Sequence, residues 1–390
     1  MKIPITQPYF GEEEKQRIQQ PLDSGWVVQG AHVETFEDKF CEFTSIPHGV
    51  ATTSCTTAME LCMELLNVGP GDEVIMPAFT WVSTPNVVEH QGGTPVFCDV
   101  NLGTFNLDPE EIERHITENT VGIYPVHLFG LAADMDPILD IAEDHDLWVA
   151  EDAACGFGAR YRGDHVGAIG DLGAFSFHPR KSITTGEGGM VTTQDPDFAR
   201  QARSLRDHGA TKTDRERHSS EDAFLLADYP RIGYNHRMTD LQGAVGSVQM
   251  DRGEDILASR REQATLYDDL LEDADWIHTP TVPDGYEHGY QTYVTLFAPE
   301  EPTLNNVDRL YEKRNAVMRD LAQQGIATRQ GTHAAALQEV YVEKYGHQPE
   351  DFPRSHIAEK VTLALPMYHQ LSDEEQRLVV DRLTDAFEAL

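Results

Sequence analysis

Four polar clusters in the first half of the chain have the residue types to hold a planar, phosphorylated heterocycle. Phe175-Ser176-Phe177-His178-Pro179-Arg180-Lys181 is followed by Gly186-Glu187-Gly188-Gly189. A lysine directly after a buried strand is costly unless it is used. Burial lowers an ammonium's pKa and leaves a nucleophilic amine, so Lys181 reads as a Schiff-base lysine; the plainer reading is a lysine that snorkels to the surface. The glycine-rich turn lets backbone approach closely. Val149-Ala150-Glu151-Asp152-Ala153-Ala154 ends a very apolar run. There Asp152 would face a ligand cleft while shielded from bulk water, and would hold a protonated ring nitrogen so that the ring withdraws electrons; the alternative is that it caps the next segment. Thr53-Ser54-Cys55-Thr56-Thr57-Ala58 precedes an apolar helix over 58–66. Ser54 can cap that helix, leaving its first amides and the hydroxyls of Thr56 and Thr57 to meet a phosphate, although an ordinary capped helix has the same sequence. Phe79-Thr80-Trp81-Val82-Ser83 offers Trp81 as a stacking ring, or as one more core aromatic.

These clusters need a scaffold that gathers strand ends. From about residue 51 to 191, short apolar runs alternate with amphipathic stretches. Residues 73–76, 95–100, 121–126, 147–150 and 173–177 read as buried strands. Asp108-Pro109-Glu110-Glu111 reads as a helix start, with a cap, a first-turn proline and a Glu three residues after the cap. Residues 134–144 read as a helix with Ile138, Ile141 and Ala142 on one face. The alternation predicts an α/β fold with a mainly parallel central sheet and helices on both faces, binding its ligand beyond the carboxyl ends of the strands. Residues 211–228 carry many charges and no apolar period, and read as a long surface loop. Helices are expected at 238–250, 254–271, 306–324 and 372–388, and a strand at 290–297. The length exceeds one ordinary domain. The change of pattern places a large α/β domain with an N-terminal arm over residues 1–250, and a smaller C-terminal α+β domain over 251–390.

Composition narrows the function. The chain carries 66 Asp and Glu against 30 Lys and Arg, a net charge of −36, spread along its whole length. Such a surface repels nucleic acid and anionic lipid, so neither is expected as a partner. A folded enzyme with a hydrated acidic shell suits a salt-loving source, and self-repulsion should then weaken it at low salt. No apolar run reaches the roughly 18 residues of a membrane span, and the opening MKIPITQPYFGEEE lacks the pattern of a secretion signal. The five cysteines, Cys41, Cys55, Cys62, Cys98 and Cys155, include no Cys-x-x-Cys pair, so no disulfide framework or zinc site is expected and a reducing cytoplasm fits. No His-Glu-x-x-His motif suggests a metal.

The order of phosphate loop, aromatic, Asp and then Ser-x-x-x-x-Lys resembles the aspartate-aminotransferase-like enzymes of fold type I, which use pyridoxal 5'-phosphate (PLP). More narrowly, the chain resembles the DegT/DnrJ/StrS-type sugar aminotransferases. Pro77-Ala78-Phe79-Thr80-Trp81, Pro125-Val126-His127-Leu128-Phe129-Gly130, Glu151-Asp152-Ala153-Ala154, Lys181 with its glycine-rich turn, and Gly233-Tyr234-Asn235-His236-Arg237-Met238 match that family, and the match runs from Ile3-Pro4 to Leu365-Pro366-Met367-Tyr368. The resemblance implies that Lys181 carries the cofactor, Asp152 binds its ring nitrogen and Trp81 stacks on the ring. Thr56, Thr57 and Ser176 bind the phosphate. Asn235 reaches the phosphate of the neighbouring subunit's cofactor, which implies a homodimer with shared active sites. Two positions depart from the pattern. Cys155 stands where Gln commonly lies near the ring's phenolic oxygen, and a thiol is the poorer donor. Cys55 stands where Gly is common, and narrows the phosphate site or shifts the loop.

The resemblance also implies a two-stage transamination, with glutamate as donor, a nucleotide-linked keto-deoxy sugar as acceptor and Lys181 as the proton carrier. Arg231, Arg237, Lys212 and Arg329 are candidate grips for the nucleotide's diphosphate, and Arg329 alternatively for the donor's carboxylate. His127 and His333 are further cleft candidates. A PLP-dependent sugar dehydratase is disfavoured because a His replaces the lysine there. A desulfurase would need a late cysteine, and a nicotinamide dehydrogenase a Gly-x-Gly-x-x-Gly turn that Gly167, Gly170 and Gly173 do not form. A PLP-binding regulator without turnover is the non-enzymatic alternative.

Overall fold

Short runs of aliphatic and β-branched residues, bounded by turn formers, build seven strands of one sheet: β1 (His48–Thr52), β2 (Glu73–Pro77), β3 (Thr94–Cys98), β4 (Thr120–Ile123), β5 (Trp148–Asp152), β6 (Leu172–Ser176) and β7 (Gly189–Thr193). The computed structural model describes residues 2–212 and 227–390, so most of the loop expected over 211–228 lies outside the described residues. The strand order is β1-β7-β6-β5-β4-β2-β3. Only β7 runs antiparallel to its neighbours; the rest of the sheet is parallel, as expected.

Side chains alternate across the strands. Ile75, Val149, Phe175 and Met190 enter one apolar layer, and Val74, Met76, Ala150, Ala174 and Val191 the other. Helices α1 (Glu12–Ser24) and α2 (Ala31–Thr44) precede the sheet. Helices α3 (Cys55–Leu65), α4 (Ser83–His90), α5 (Met135–Asp144) and α6 (Pro196–Leu205) join or flank its strands, and α7 (Asp240–Asp251) and α8 (Gly253–Leu271) follow. Residues of α2, α5 and α7 fill the first layer, and residues of α3, α4 and α6 the second. Both faces are therefore covered, which is why the strands read as continuous apolar runs.

A second, antiparallel sheet of β8 (Ile277–His278), β9 (Tyr293–Phe297) and β10 (Thr362–Leu365) packs with α8, with α9 (Val307–Gln323) and with the last helix. Helices α10 (Glu339–Tyr345), α11 (Pro353–Val361) and α12 (Asp373–Glu388) complete the set named here. Ile3 from the N-terminal arm is buried in this second core and bridges to Ile326.

One expected element is shorter than its signals. Asp108 does cap, accepting from the amide of Glu110, but only two 3-10 turns follow, Pro109–Glu111 and Glu113–His115. Ile112 is the one fully buried side chain in those turns and the residues between them. With no apolar stripe to dock, good caps do not sustain a helix.

Candidate active site

The site residues come together at the carboxyl edge of the parallel strands. Asp152 is the last residue of β5 and pairs in register with Ala174 on β6. The chain leaving β6 forms a loop tied at its neck. Phe177 donates its amide to Gly188 at 2.9 Å and accepts from the Thr184 hydroxyl at 2.7 Å and the Thr185 amide at 3.1 Å. Lys181 sits inside that loop, half-buried, and its Nζ donates to Cys155 Sγ at 3.1 Å. Cys155 lies three residues beyond Asp152, so the amine and the carboxylate share one cleft.

Asp152 is buried, and Oδ2 accepts from the Thr84 hydroxyl at 2.7 Å while Oδ1 accepts from the Ala154 amide at 3.1 Å. Burial pushes its pKa up, and neither these two bonds nor the charge of Lys181 reverses the direction. Lys181 corrects an expectation. Burial does act to lower its pKa, but the adjacent Cys155 sulfur, then Cys55 and Asp152, outweigh it and the pKa is raised. These neighbours, not the desolvation, decide the direction.

At the head of α3, Ser54 Oγ accepts from the Thr57 amide at 3.2 Å, so the expected cap is present. The Thr57 hydroxyl is already engaged, donating to the Ser54 carbonyl at 2.8 Å. Thr56 is half-buried, and its amide precedes the first intrahelical bond, from Ala58 to Ser54. Ser176 pairs with Gly189, and a Cβ on Gly189 would lie 2.3 Å from the Ser54 carbonyl oxygen; only glycine admits this approach. The Cys55 thiol turns into the core toward the Ala174 carbonyl at 3.7 Å, so it packs under the loop.

Trp81 is not a core aromatic. It is 56% exposed, with its ring 5.6 Å from that of His333. Asn235 is exposed on a segment that pairs with Asp207, and the next residue's carbonyl accepts from the Thr53 amide at 3.0 Å, which sets this segment beside the phosphate loop.

Other candidates are committed elsewhere. His127 Nε2 donates to Glu151 Oε2 at 2.7 Å, and its Nδ1 accepts from the Ala133 amide at 3.0 Å; both side chains are fully buried. His127 is therefore a core histidine. Arg237 is paired with Asp207, and Arg231 bonds to Gln201 at 3.0 Å. Arg329 has no carboxylate partner among the described residues, and its pKa is lowered, first by burial and then by the Arg180 guanidinium. Sequence reasoning missed Thr84, in the first turn of α4, whose hydroxyl lies 3.0 Å from that of Thr80, four residues earlier on a short strand. It also missed Tyr124, whose hydroxyl is buried without a partner and whose pKa is raised by burial and then by the Asp152 charge.

An exposed indole, an unpartnered phenol near Asp152, an open helix start against a side-chain-free sheet edge and an amine beside a thiol fit a flat phosphorylated ring with polar substituents. Fold and cleft together define the class: an α/β enzyme of the type I PLP architecture. Residues 8–384 match the DegT/DnrJ/EryC1/StrS aminotransferase family, and the chain belongs to that family; it is a PLP-dependent aminotransferase. It is 35% identical over 383 residues to the spore coat polysaccharide biosynthesis protein SpsC of Bacillus subtilis, covering 98% of this chain and 96% of that one. It is 35% identical over 342 residues to GDP-perosamine synthase of Caulobacter vibrioides, covering 87% of each. Among solved structures, the putative sugar aminotransferase Spr1654 of Streptococcus pneumoniae, in its PMP form, superposes with a TM-score of 0.91 at 29% identity over 99% of both chains.

Proposed function

We propose that this enzyme moves an amino group from glutamate to a nucleotide-linked keto-deoxy sugar, for the synthesis of a glycan or a glycosylated metabolite. The observation that carries the reading is the convergence of Lys181 and Asp152 on one cleft, with Cys155 bonded to the amine. The acceptor class is supported by relatives named for polysaccharide biosynthesis and perosamine synthesis. When bound, PLP supplies an aldehyde that takes up amines and a ring that withdraws electrons from the substrate carbon.

Lys181 binds the cofactor covalently and, when free, carries the proton to and from the substrate carbon with its Nζ. Asp152 keeps its carboxylate against the ring nitrogen, oriented by the Thr84 hydroxyl and the Ala154 amide. Trp81, with its exposed indole, would cover the ring. Thr56, Ser176 and the first amides of α3 hold the phosphate, and Thr57 shapes that turn through its bond to Ser54 as well as facing it. Cys155, bonded to the Lys181 amine, would stand beside the ring. Arg329, with Arg180 near it and no acid partner among the described residues, takes the donor's carboxylate. Lys212, and Arg231 through the charge its bond to neutral Gln201 leaves unpaired, are offered to the sugar nucleotide's phosphates.

Asn235, exposed beside the phosphate loop, reaches a second subunit's cofactor in a homodimer with shared active sites. The chain divides near residue 250 into a cofactor-binding domain and a smaller C-terminal one. Five free cysteines suit a reducing cytoplasm, and the charge of −36 suits a halophilic setting, in which activity falls as salt is removed.

The test is turnover. Pure protein supplied with PLP, glutamate and a panel of keto-sugar nucleotides should release 2-oxoglutarate with at least one acceptor. Cofactor binding with no 2-oxoglutarate from any acceptor would favour a regulator. Lys181 itself disfavours the dehydratase.

A further inference from the structure

Lys181 also borders a second, small cavity, lined with it by Tyr9, Ser182, Gln249, Arg260 and His369, among others. The cavity has room for roughly one water-sized particle. Three buried polar atoms of its lining have no hydrogen-bond partner: Ser182 Oγ, Arg260 Nε and His369 Nδ1. Orphaned buried polar atoms are uncommon, and three around one cavity point to an occupant.

The charges say what kind. Arg260 is 3% exposed. Its Nη1 donates only to the carbonyls of Tyr290 at 2.9 Å and Gln291 at 3.1 Å, and it forms no ion pair among the described residues. Burial lowers its pKa to about 10, which leaves it charged at neutral pH. Lys181 lines the same space, but its Nζ is turned to Cys155, so Arg260 is the charge the cavity must answer. Gln249 spends its amide on the Tyr9 carbonyl and Glu14, and Glu14 is already neutralised by Arg252. A buried guanidinium without a counter-charge is costly, and a water molecule would satisfy its N–H but not its charge.

We propose that this cavity binds a single monoatomic anion, chloride in the cell, which accepts from Arg260 Nε and Ser182 Oγ. Larger oxyanions do not fit the space. The acidic surface repels the ion from a distance, so occupancy rises with salt. The ion also reaches the lysine loop indirectly. Arg260 holds the carbonyls of Tyr290, whose φ of 42° is left-handed, and of Gln291, and Gln291 Nε2 donates to the Arg180 carbonyl at 2.8 Å, one residue from Lys181.

The direct test uses crystals of the PLP-loaded wild type soaked in bromide. An anomalous peak within hydrogen-bond distance of Arg260 Nε and Ser182 Oγ is expected; water-like density there at saturating bromide overturns the proposal. In solution, the wild type should gain thermal stability saturably with potassium chloride, beyond its gain in potassium gluconate of equal ionic strength. Ser182→Ala should need about tenfold more chloride for the same effect, the loss of one hydrogen bond to the ion. Equal responses to both salts, or an unshifted midpoint in Ser182→Ala, would count against the site. The bromide result stands whichever sugar is the substrate.

Discussion

Glu151 and Asp152 are neighbours on one strand, both buried, yet they serve opposite faces of β5 and titrate in opposite directions. Burial alone would raise both. Glu151 is lowered because His127 and the amides of Gly167, Ile169 and Gly170 surround its carboxylate at 2.6 to 2.8 Å. Asp152 receives two donors, and burial wins. The saturated carboxylate is structural, binding the loop over 167–170 to the sheet. The under-satisfied one keeps acceptor capacity for a partner that brings its own charge, as a protonated ring nitrogen does. Hydrogen-bond saturation, not burial, distinguishes them.

The largest effect expected on the Asp152 side comes from Lys181→Ala, which should abolish steady transamination; cycling at the wild-type rate would break the assignment. Asp152→Asn should follow, lowering kcat by about a hundredfold or more while PLP still binds, because an amide cannot keep the ring nitrogen protonated. Glu151→Gln should do the reverse, costing about 3 kcal/mol of stability in denaturant titration and leaving kcat per folded molecule within a few fold. A variant of Glu151 that folds normally but is inactive would erase the contrast.

The pH dependence sharpens it in the cofactor-free protein. Glu151, with its folded pKa lowered, contributes stability that is present above its ordinary value of about 4.3 and lost as pH falls through the folded value. Asp152 is raised, so its contribution is present below about 3.9 and lost as pH rises through the folded value. Asp152→Asn should therefore raise the melting temperature at neutral pH, and Glu151→Gln should lower it. The smallest effect expected is that of Cys155→Gln, a shift in the pH at which the bound cofactor's visible absorption changes, with kcat altered less than about tenfold.

Much of this was legible in the residues. The strands at 73–76 and 173–177 and the helices at 254–271 and 372–388 stood out because each is apolar over its length or along one stripe. The two strands at one edge did not. β1 and β7 consist of His48-Gly49-Val50-Ala51-Thr52 and Gly189-Met190-Val191-Thr192-Thr193, which owe their conformation to antiparallel pairing with each other. At the site, Lys181 and Asp152 were visible as polar residues at the ends of apolar runs. The direction of the Lys181 shift was not, since it depends on Cys155, 26 residues away in sequence and 3.1 Å away in space. Nor was the commitment of His127 to Glu151, which links two strand ends.

The covalent link at Lys181 can be read directly. The PLP-loaded protein is reduced with borohydride, digested and mapped by mass spectrometry. One peptide with the reduced cofactor fixed to Lys181 is expected. Cofactor attached to another lysine, or released entire after reduction, would contradict it.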